Sequence, residues 1–338
     1  MDAPSSYWKL DLNLGHFPPV ESFIGYGSGV FRQVGYTGPR PMVDLVFIIR
    51  EEAAASWHSE NLARHPEHYS RSMRLLGPSA IARLQGWGPG LYYNPHVRIP
   101  TAEGGELEAK YGVISVEALL RDLSQWDSLY IAGRMHKPCV LQPCSDDKKL
   151  HASVAAAAAA NRRAALAAAL LLAGADAGFG APTAGAAELG ALPLLSTLVR
   201  LSFDGDIRVG LAEDPKKVSN IVQAQQRDLL EIYSPIASDL GVELHHSPDG
   251  PSLAATTARF DASERRRFFG ELPASVQQRL ASRVGGCSSP WDDAAALRAE
   301  LRAAVRRSSL QQTAKGAVTA GASRGVRYAL EKLRKRLK

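Results

Sequence analysis

Three glycines and a serine fall within Ile24-Gly25-Tyr26-Gly27-Ser28-Gly29-Val30-Phe31, and a carboxylate, Asp44, follows at the head of the apolar run Leu45-Val46-Phe47-Ile48-Ile49. Glycine adopts positive φ without strain and lets a backbone approach a ligand closely. Successive N–H groups in such a turn form a concave anion site. An acid that enters a buried strand is costly unless it is paired or metal-bound. Together these residues suit phosphate held by backbone donors at Gly27 and Ser28, with Mg²⁺ held by Asp44. The metal would neutralise charge developing at phosphorus and on a departing phosphate. The plainer alternative is a structural turn ahead of a buried strand.

Lys110, Arg134 and Lys137 sit at expected strand ends, where cations could clamp a triphosphate; a solvated surface is the competing reading. His58, Asn61 and His68 recur at roughly helical intervals and could meet a base, a phosphate or a metal, or be satisfied internally. Asp204-Gly205-Asp206 reads first as a tight turn. Near the end, Val326, Leu330, Leu333 and Leu337 form an apolar stripe, and Arg327, Lys332, Arg334, Lys335, Arg336 and Lys338 carry charge. That composition suits a helix lying on anionic lipid. A nucleic-acid arm is less favoured, because only Tyr328 offers a stacking ring there.

The 338 residues are 45% hydrophobic, enough for two domains with real cores. A net charge of +6 favours anionic partners. Cys139, Cys144 and Cys287 lack the spacing of a zinc or disulfide framework and read as isolated thiols. No unbroken apolar run is long enough to span a bilayer. Ala152 to Ala173 comes closest, and Asn161, Arg162 and Arg163 interrupt it. The residues before Tyr7 are too few for a targeting sequence.

The elements that must position these residues follow from periodicity. Residues 42–49 read as a buried central strand, 53–74 as helix with a break at Pro66, and 78–85 as a short helix. Residues 91–99 and 107–115 read as a hairpin interrupted at Asn94-Pro95, 116–125 as a helix capped by Ser115, and 129–133 as a short strand. Residues 141–150 are polar and suit a boundary. Helices follow over the Ala-rich 151–173, then 187–200 and 214–233, with a Gly/Ala/Pro-rich loop at 174–186 and short helices and loops over 234–300. The expectation is an α+β protein: residues 1–145 as one domain, 146–300 as a helical, winged-helix-like domain, and 301–338 as a basic amphipathic membrane-binding segment.

Gly27-Ser28 followed by Asp44 resembles the order found in polymerase-β-like nucleotidyltransferases; that resemblance implies a second acid two residues after the first, on the same strand face, where this chain has Val46. More words then match in order. They are Tyr26-Gly27-Ser28-Gly29-Val30-Phe31, Asp44-Leu45-Val46-Phe47, Trp57-His58 with Asn61-Leu62, and His68-Tyr69-Ser70. Tyr92-Tyr93-Asn94, Lys110-Tyr111-Gly112-Val113-Ile114-Ser115 and Leu129 to Arg134 with Lys137-Pro138 continue the match. Asp206-Ile207-Arg208, Lys217-Val218 with Asn220-Ile221-Val222, and Lys315-Gly316 through Gly325 complete it. Over nearly the whole chain this resembles the mitochondrial CDP-diacylglycerol synthases, also called the translocator assembly and maintenance family. The resemblance implies a peripheral enzyme on the matrix face of the inner mitochondrial membrane. It would make CDP-diacylglycerol and pyrophosphate from CTP and phosphatidic acid with Mg²⁺, ahead of cardiolipin. It implies CTP on Gly27, Ser28, Arg134, His58 and Asn61, catalysis by Asp44, Lys110 and Lys137, and membrane contact through Arg327, Lys332, Leu333, Arg334 and Leu337. The partners expected are CTP, phosphatidic acid and an anionic membrane surface, with a homodimer left open and no nucleic acid. The family pattern likewise carries a single acid at the strand start. The remaining metal-binding carboxylate is left among Glu51, Glu52, Asp122 and Asp127. The alternatives are a nucleic-acid-directed nucleotidyltransferase or RNA-binding relative, and a catalytically inactive scaffold.

Overall fold

The computed structural model describes residues 8, 10–31, 38–178, 186–209, 216–246, 253–283 and 289–336. Cys287 and Leu337 lie outside them, and the side chains of Arg327, Lys332, Leu333 and Arg334 are likewise outside what is described. The chain divides into two compact units. The first comprises residues 1–120, 139–155 and 308–338; the second comprises 121–138 and 156–307. This redraws the division expected at 145 and 300, because the chain leaves the first unit and returns to it, which a reading by consecutive segments does not detect.

In chain order the first unit holds β1 (Ser22–Tyr26), β2 (Val43–Ile49), α1 (Ala54–Arg64), a 3₁₀ turn at Pro66–His68, α2 (Arg71–Leu76) and α3 (Pro78–Gly86). It continues with β3 (Leu91–Pro100), β4 (Glu106–Ser115) and the start of α4 (Val116–Gln125). The sequence placed these elements within a few residues, and Pro66 does break the first helix. Ser115 caps α4, its Oγ accepting from Ala118 N–H at 3.2 Å. After α5 (Ala132–Met135) of the second unit comes β5 (Cys139–Pro143), an edge strand where a polar boundary was expected. The sheet is mixed, in the order β3-β4-β2-β1-β5, with β2 and β4 parallel and the other pairs antiparallel. β3 is continuous across the expected interruption. It absorbs Asn94-Pro95-His96 as a register shift, with His96 at φ 54°.

Strand alternation gives the sheet two faces. Leu45, Phe47, Tyr111 and Val113 point to one, where Phe17 and Trp57 cover them in a buried cluster. Asp44, Val46, Lys110 and Gly112 point to the other.

The second unit is built from the rest of α4, α5, most of α6 (Lys148–Asp176), β6 (Ala186–Leu189), α7 (Ala191–Arg200) and α8 (Lys217–Asp239). β7 (Glu243–His246), β8 (Leu253–Arg259), α9 (Ala262–Gly270), α10 (Ala274–Ala281) and the first part of α11 (Ala294–Arg336) complete it. β6, β8 and β7 form an antiparallel three-stranded sheet in that order; β6 takes the start of the stretch expected as the helix 187–200, and β7 and β8 lie where short helices and loops were expected. Helix α6 is long and apolar enough to cross a membrane by length and composition, yet 61% of its apolar window is buried within the protein. Its interrupting polar residues are engaged inside the second unit. Asn161 Oδ1 accepts from Trp126 Nε1–H at 2.7 Å, Arg162 Nε donates to Met135 O at 3.2 Å, and Arg163 pairs with Glu271 at 2.6 Å. Satisfied polar groups and close-packed alanines are what a core helix shows.

Residues 129–133 are not a strand. They form a tight loop running into α5, with Trp126 at φ 54° and Leu129 at φ 51°. Asp122 imposes this. Its Oδ2 accepts from the N–H groups of Ile131 (2.8 Å) and Ala132 (2.9 Å), and its Oδ1 accepts from Ser128 N–H (3.2 Å) and Oγ–H (2.6 Å).

Candidate active site

The glycine turn closes on itself: the N–H groups of Val30 and Phe31 both donate to Gly27 O, at 3.0 and 2.9 Å. Gly27 sits at φ +77°, and a Cβ added there would lie 3.2 Å from Asp44 Oδ2. Gly29 is required by contact instead, since its Cβ would meet Met42 O at 2.4 Å. The turn is therefore pressed onto the start of β2, and the missing side chain at 27 leaves the space beside Asp44 Oδ2 unfilled. Among the described residues no donor is bonded to that carboxylate.

Sheet register sets the neighbours. Tyr26 lies opposite Asp44 on β1, and Lys110 lies beside it on β4. Lys110 Nζ stands 4.1 Å from the ring centroid of Tyr93, whose hydroxyl meets that of Tyr26 at 3.0 Å. The Tyr93 ring crosses Gly112, where a Cβ would come within 2.8 Å of it. A half-buried row of acid, cation and two phenols thus occupies one sheet face at the glycine turn. Tyr26 and Tyr93 were not singled out from sequence; the signal was the place of each within a matched word. Val46 is fully buried on the same face, paired with Ile24 and Gly112, so a second acid there would be uncompensated. Glu51 and Glu52 are exposed just beyond the other end of β2, roughly 20 Å along the chain from Asp44, too far for one ion to contact both. Asp122 is consumed by its loop, and Asp127 lies 3.6 Å from Arg279.

The structure does not bring His58 and Asn61 to this row. Both are fully buried on the opposite sheet face. His58 Nδ1 meets Tyr69 Oη at 2.9 Å and its Nε2 meets Gln85 Oε1 at 2.8 Å. Asn61 Nδ2 donates to Tyr69 Oη and Tyr111 Oη, both at 2.8 Å. Asn94 Nδ2 also donates to Tyr111 Oη at 2.8 Å. This network supports β4 from behind, and nucleotide has no access to it. Helical spacing could not tell an inward-facing histidine from a ligand-facing one.

Burial lowers the His58 pKa to about 4, partly offset by the Gln85 hydrogen bond. His136, in the second unit, falls to about 3 through burial and the Lys137 charge. Both rings are neutral when folded and gain protons on unfolding. Their contribution is intact above about pH 6.5 and is lost as pH falls towards 4, on the order of 2 kcal/mol per histidine by pH 5. Urea midpoints should drop between pH 7.5 and 5, and a flat profile would refute the assignment.

Arg134 and Lys137 belong to the second unit. Arg134 donates to Tyr130 O and lies 3.9 Å from that ring's centroid, and Arg208 lies 5.9 Å from the same ring. Lys137 donates to Gly133 O and, at 2.8 Å, to Ser202 Oγ. Lys137 and Lys217 approach the Phe203 ring to 5.0 and 5.3 Å. Arg208 is fixed by Asp206 through contacts of 2.9 and 2.6 Å, so the Asp-Gly-Asp turn orients a cation. Four cations are thus gathered on two aromatic rings, an arrangement that suits a polyanion. Arg208 and Lys217 were legible only as parts of matched words.

A family model described as phosphatidate cytidylyltransferase, mitochondrial, matches residues 11–335. The chain is similar to proteins of that name. It is 33% identical to the one from Drosophila melanogaster over 360 residues, covering 96% of this chain and 98% of that one. It is 33% identical to the Xenopus laevis protein, covering 96% and 93%, and 32% identical to the Bos taurus protein, covering 95% and 92%.

Proposed function

The chain belongs to the mitochondrial phosphatidate cytidylyltransferase family, and from that premise we propose that cytidylyl transfer takes place at the row around Asp44. The substrates are CTP and phosphatidic acid, and the product is CDP-diacylglycerol, available for cardiolipin synthesis. The observation that carries the placement is the Asp44 carboxylate, whose Oδ2 lies 3.2 Å from the position a Gly27 Cβ would fill, at the glycine turn itself. We read the first unit as the nucleotidyltransferase domain. The second, with its antiparallel sheet and packed helices, is read as the winged-helix-like domain.

The donor set fits Mg²⁺. One carboxylate with room beside it is what this ion takes when phosphate oxygens and water fill the other positions. Asp44 would hold it, and the ion would offset charge on the phosphates. Gly27 and Ser28 offer backbone N–H groups to the triphosphate. Lys110, backed by the Tyr93 ring, supplies a fixed positive charge. Arg134 and Lys137 are assigned to phosphate charge within the second unit. A phosphatidate oxygen forms the new bond to the α-phosphorus of CTP. The bond from that phosphorus to the bridging oxygen breaks, and pyrophosphate leaves with the electron pair. The nucleophile is already anionic at neutral pH, so no base is needed, and positioning plus charge neutralisation carry the rate. Purified chain with CTP and phosphatidate vesicles should release pyrophosphate only with a divalent cation. EDTA should abolish turnover and Mg²⁺ restore it. Full turnover in EDTA would refute the metal assignment.

Contact with an anionic membrane surface, which we assign to the matrix face of the inner membrane, is supported by the alternation of Arg327, Lys332 and Arg334 with Leu333 and Leu337 near the end of the sequence. Lys315 is no part of that surface. It is 1% exposed and donates to the carbonyls of Gln85 (3.1 Å), Leu91 (3.0 Å) and Trp87. A truncation should therefore begin at residue 320. Deleting 320–338 should lower affinity for anionic vesicles at least tenfold while soluble CTP binding persists. Unchanged vesicle binding, or loss of RNA binding alone, would contradict this placement.

A further inference from the structure

We propose that His16, His65 and His68, with Glu67, form a binding site for a borderline divalent cation, Zn²⁺, on the first unit. The site is separate from the Asp44 row. One ligand nitrogen from each of the three imidazoles lies within 4.8 Å of the others. The rings crowd together, with centroids 3.9 Å apart for His16–His65, tilted by 31°, and 4.7 Å for the stacked His65–His68 pair. Corners of a triangle with 4.8 Å sides stand ~2.8 Å from its centre, and Zn–N bonds run about 2.0–2.1 Å, so ring shifts of under about 1 Å close the site.

The outer nitrogens of His65 and His68 are held as ligating histidines require. His65 Nε2 contacts His16 O at 2.7 Å, and a carbonyl only accepts, so Nε2 carries the proton and Nδ1 presents its lone pair. That Nδ1 lies 3.5 Å from Glu67 Oε1, and His68 Nε2 lies 3.6 Å from the same oxygen. His16 Nε2 is buried with no hydrogen-bond partner, as a ligand atom facing a cation would be. His68 Nδ1 sits 2.9 Å from Tyr111 Oη. Metal at His68 Nε2 places the ring proton on Nδ1, facing that phenol. An Asn61 amide turned over then accepts the Tyr111 proton on its Oδ1, the atom left unpartnered as the amide now stands. Three imidazoles and a carboxylate suit zinc and do not suit Mg²⁺, whose preference for oxygen matches Asp44. The ion would tie the segment bearing His16 to the turn after α1, behind Tyr111.

The test uses the full chain, stripped with chelator and dialysed against Zn²⁺. One zinc per chain is expected, with a rise in melting temperature and an X-ray absorption spectrum showing three nitrogen neighbours. His65→Asn and Glu67→Gln should each weaken binding about tenfold or more, whereas His96→Ala should not. Circular dichroism establishes that each variant is folded. Glu67 is exposed, so Glu67→Gln keeps the test valid if a histidine variant fails to fold. Substoichiometric zinc, or parent-level binding in both His65→Asn and Glu67→Gln, would overturn the proposal.

Discussion

Asp44→Ala should reduce CDP-diacylglycerol formation at least about a thousandfold while leaving the melting temperature within a few degrees of the parent. Asp44 is the acid that meets the glycine turn, and no other described carboxylate lies along its strand face. A thousandfold loss corresponds to about 4 kcal/mol of transition-state stabilisation, the scale expected when a divalent ion's anchor is removed. The fold should survive because no described donor is bonded to the carboxylate, so its removal orphans nothing. Asp44→Asn keeps the shape and removes the charge, and should lose nearly as much. Undiminished turnover in either variant would remove Asp44 from the mechanism.

Asp122→Ala should have the opposite profile. This side chain, 4% exposed, takes four hydrogen bonds that hold the 128–132 loop and start α5. Its loss leaves the N–H groups of Ile131 and Ala132 buried without acceptors and releases two left-handed residues, Trp126 and Leu129. A cost on the order of 4 kcal/mol is expected, lowering the melting temperature by roughly 10 °C. Whatever activity remains should show an unchanged dependence on Mg²⁺ concentration. A shifted Mg²⁺ dependence with normal stability would return Asp122 to the metal.

Legibility in the sequence followed the range of the forces involved. The glycine turn, the buried β2 strand, the break at Pro66 and the Ser115 cap depend on neighbours within a few residues, and all could be read. The edge strand β5 could not, because its pairing with β1 joins residues more than a hundred positions apart. His58 and Asn61 were misplaced for a related reason. Helical periodicity gives a face, but only packing against Tyr69 and Tyr111 decides that this face is core. The 129–133 stretch has strand-like composition, yet one carboxylate eight or so residues upstream overrides that propensity. Lys315, legible only as part of a matched word, is a buried anchor, because three carbonyls elsewhere in the first unit accept from its ammonium. The zinc-type cluster combines His16 with residues some fifty positions later, a separation no spacing motif covers.

The most direct test of the Asp44 row is a crystal structure of the full chain with a non-hydrolysable CTP analogue and Mg²⁺. The expected result is a triphosphate on the Gly27 and Ser28 backbone, with the ion bridging its oxygens to Asp44. A nucleotide bound away from the glycine turn, or an ion with no contact to Asp44, would contradict it.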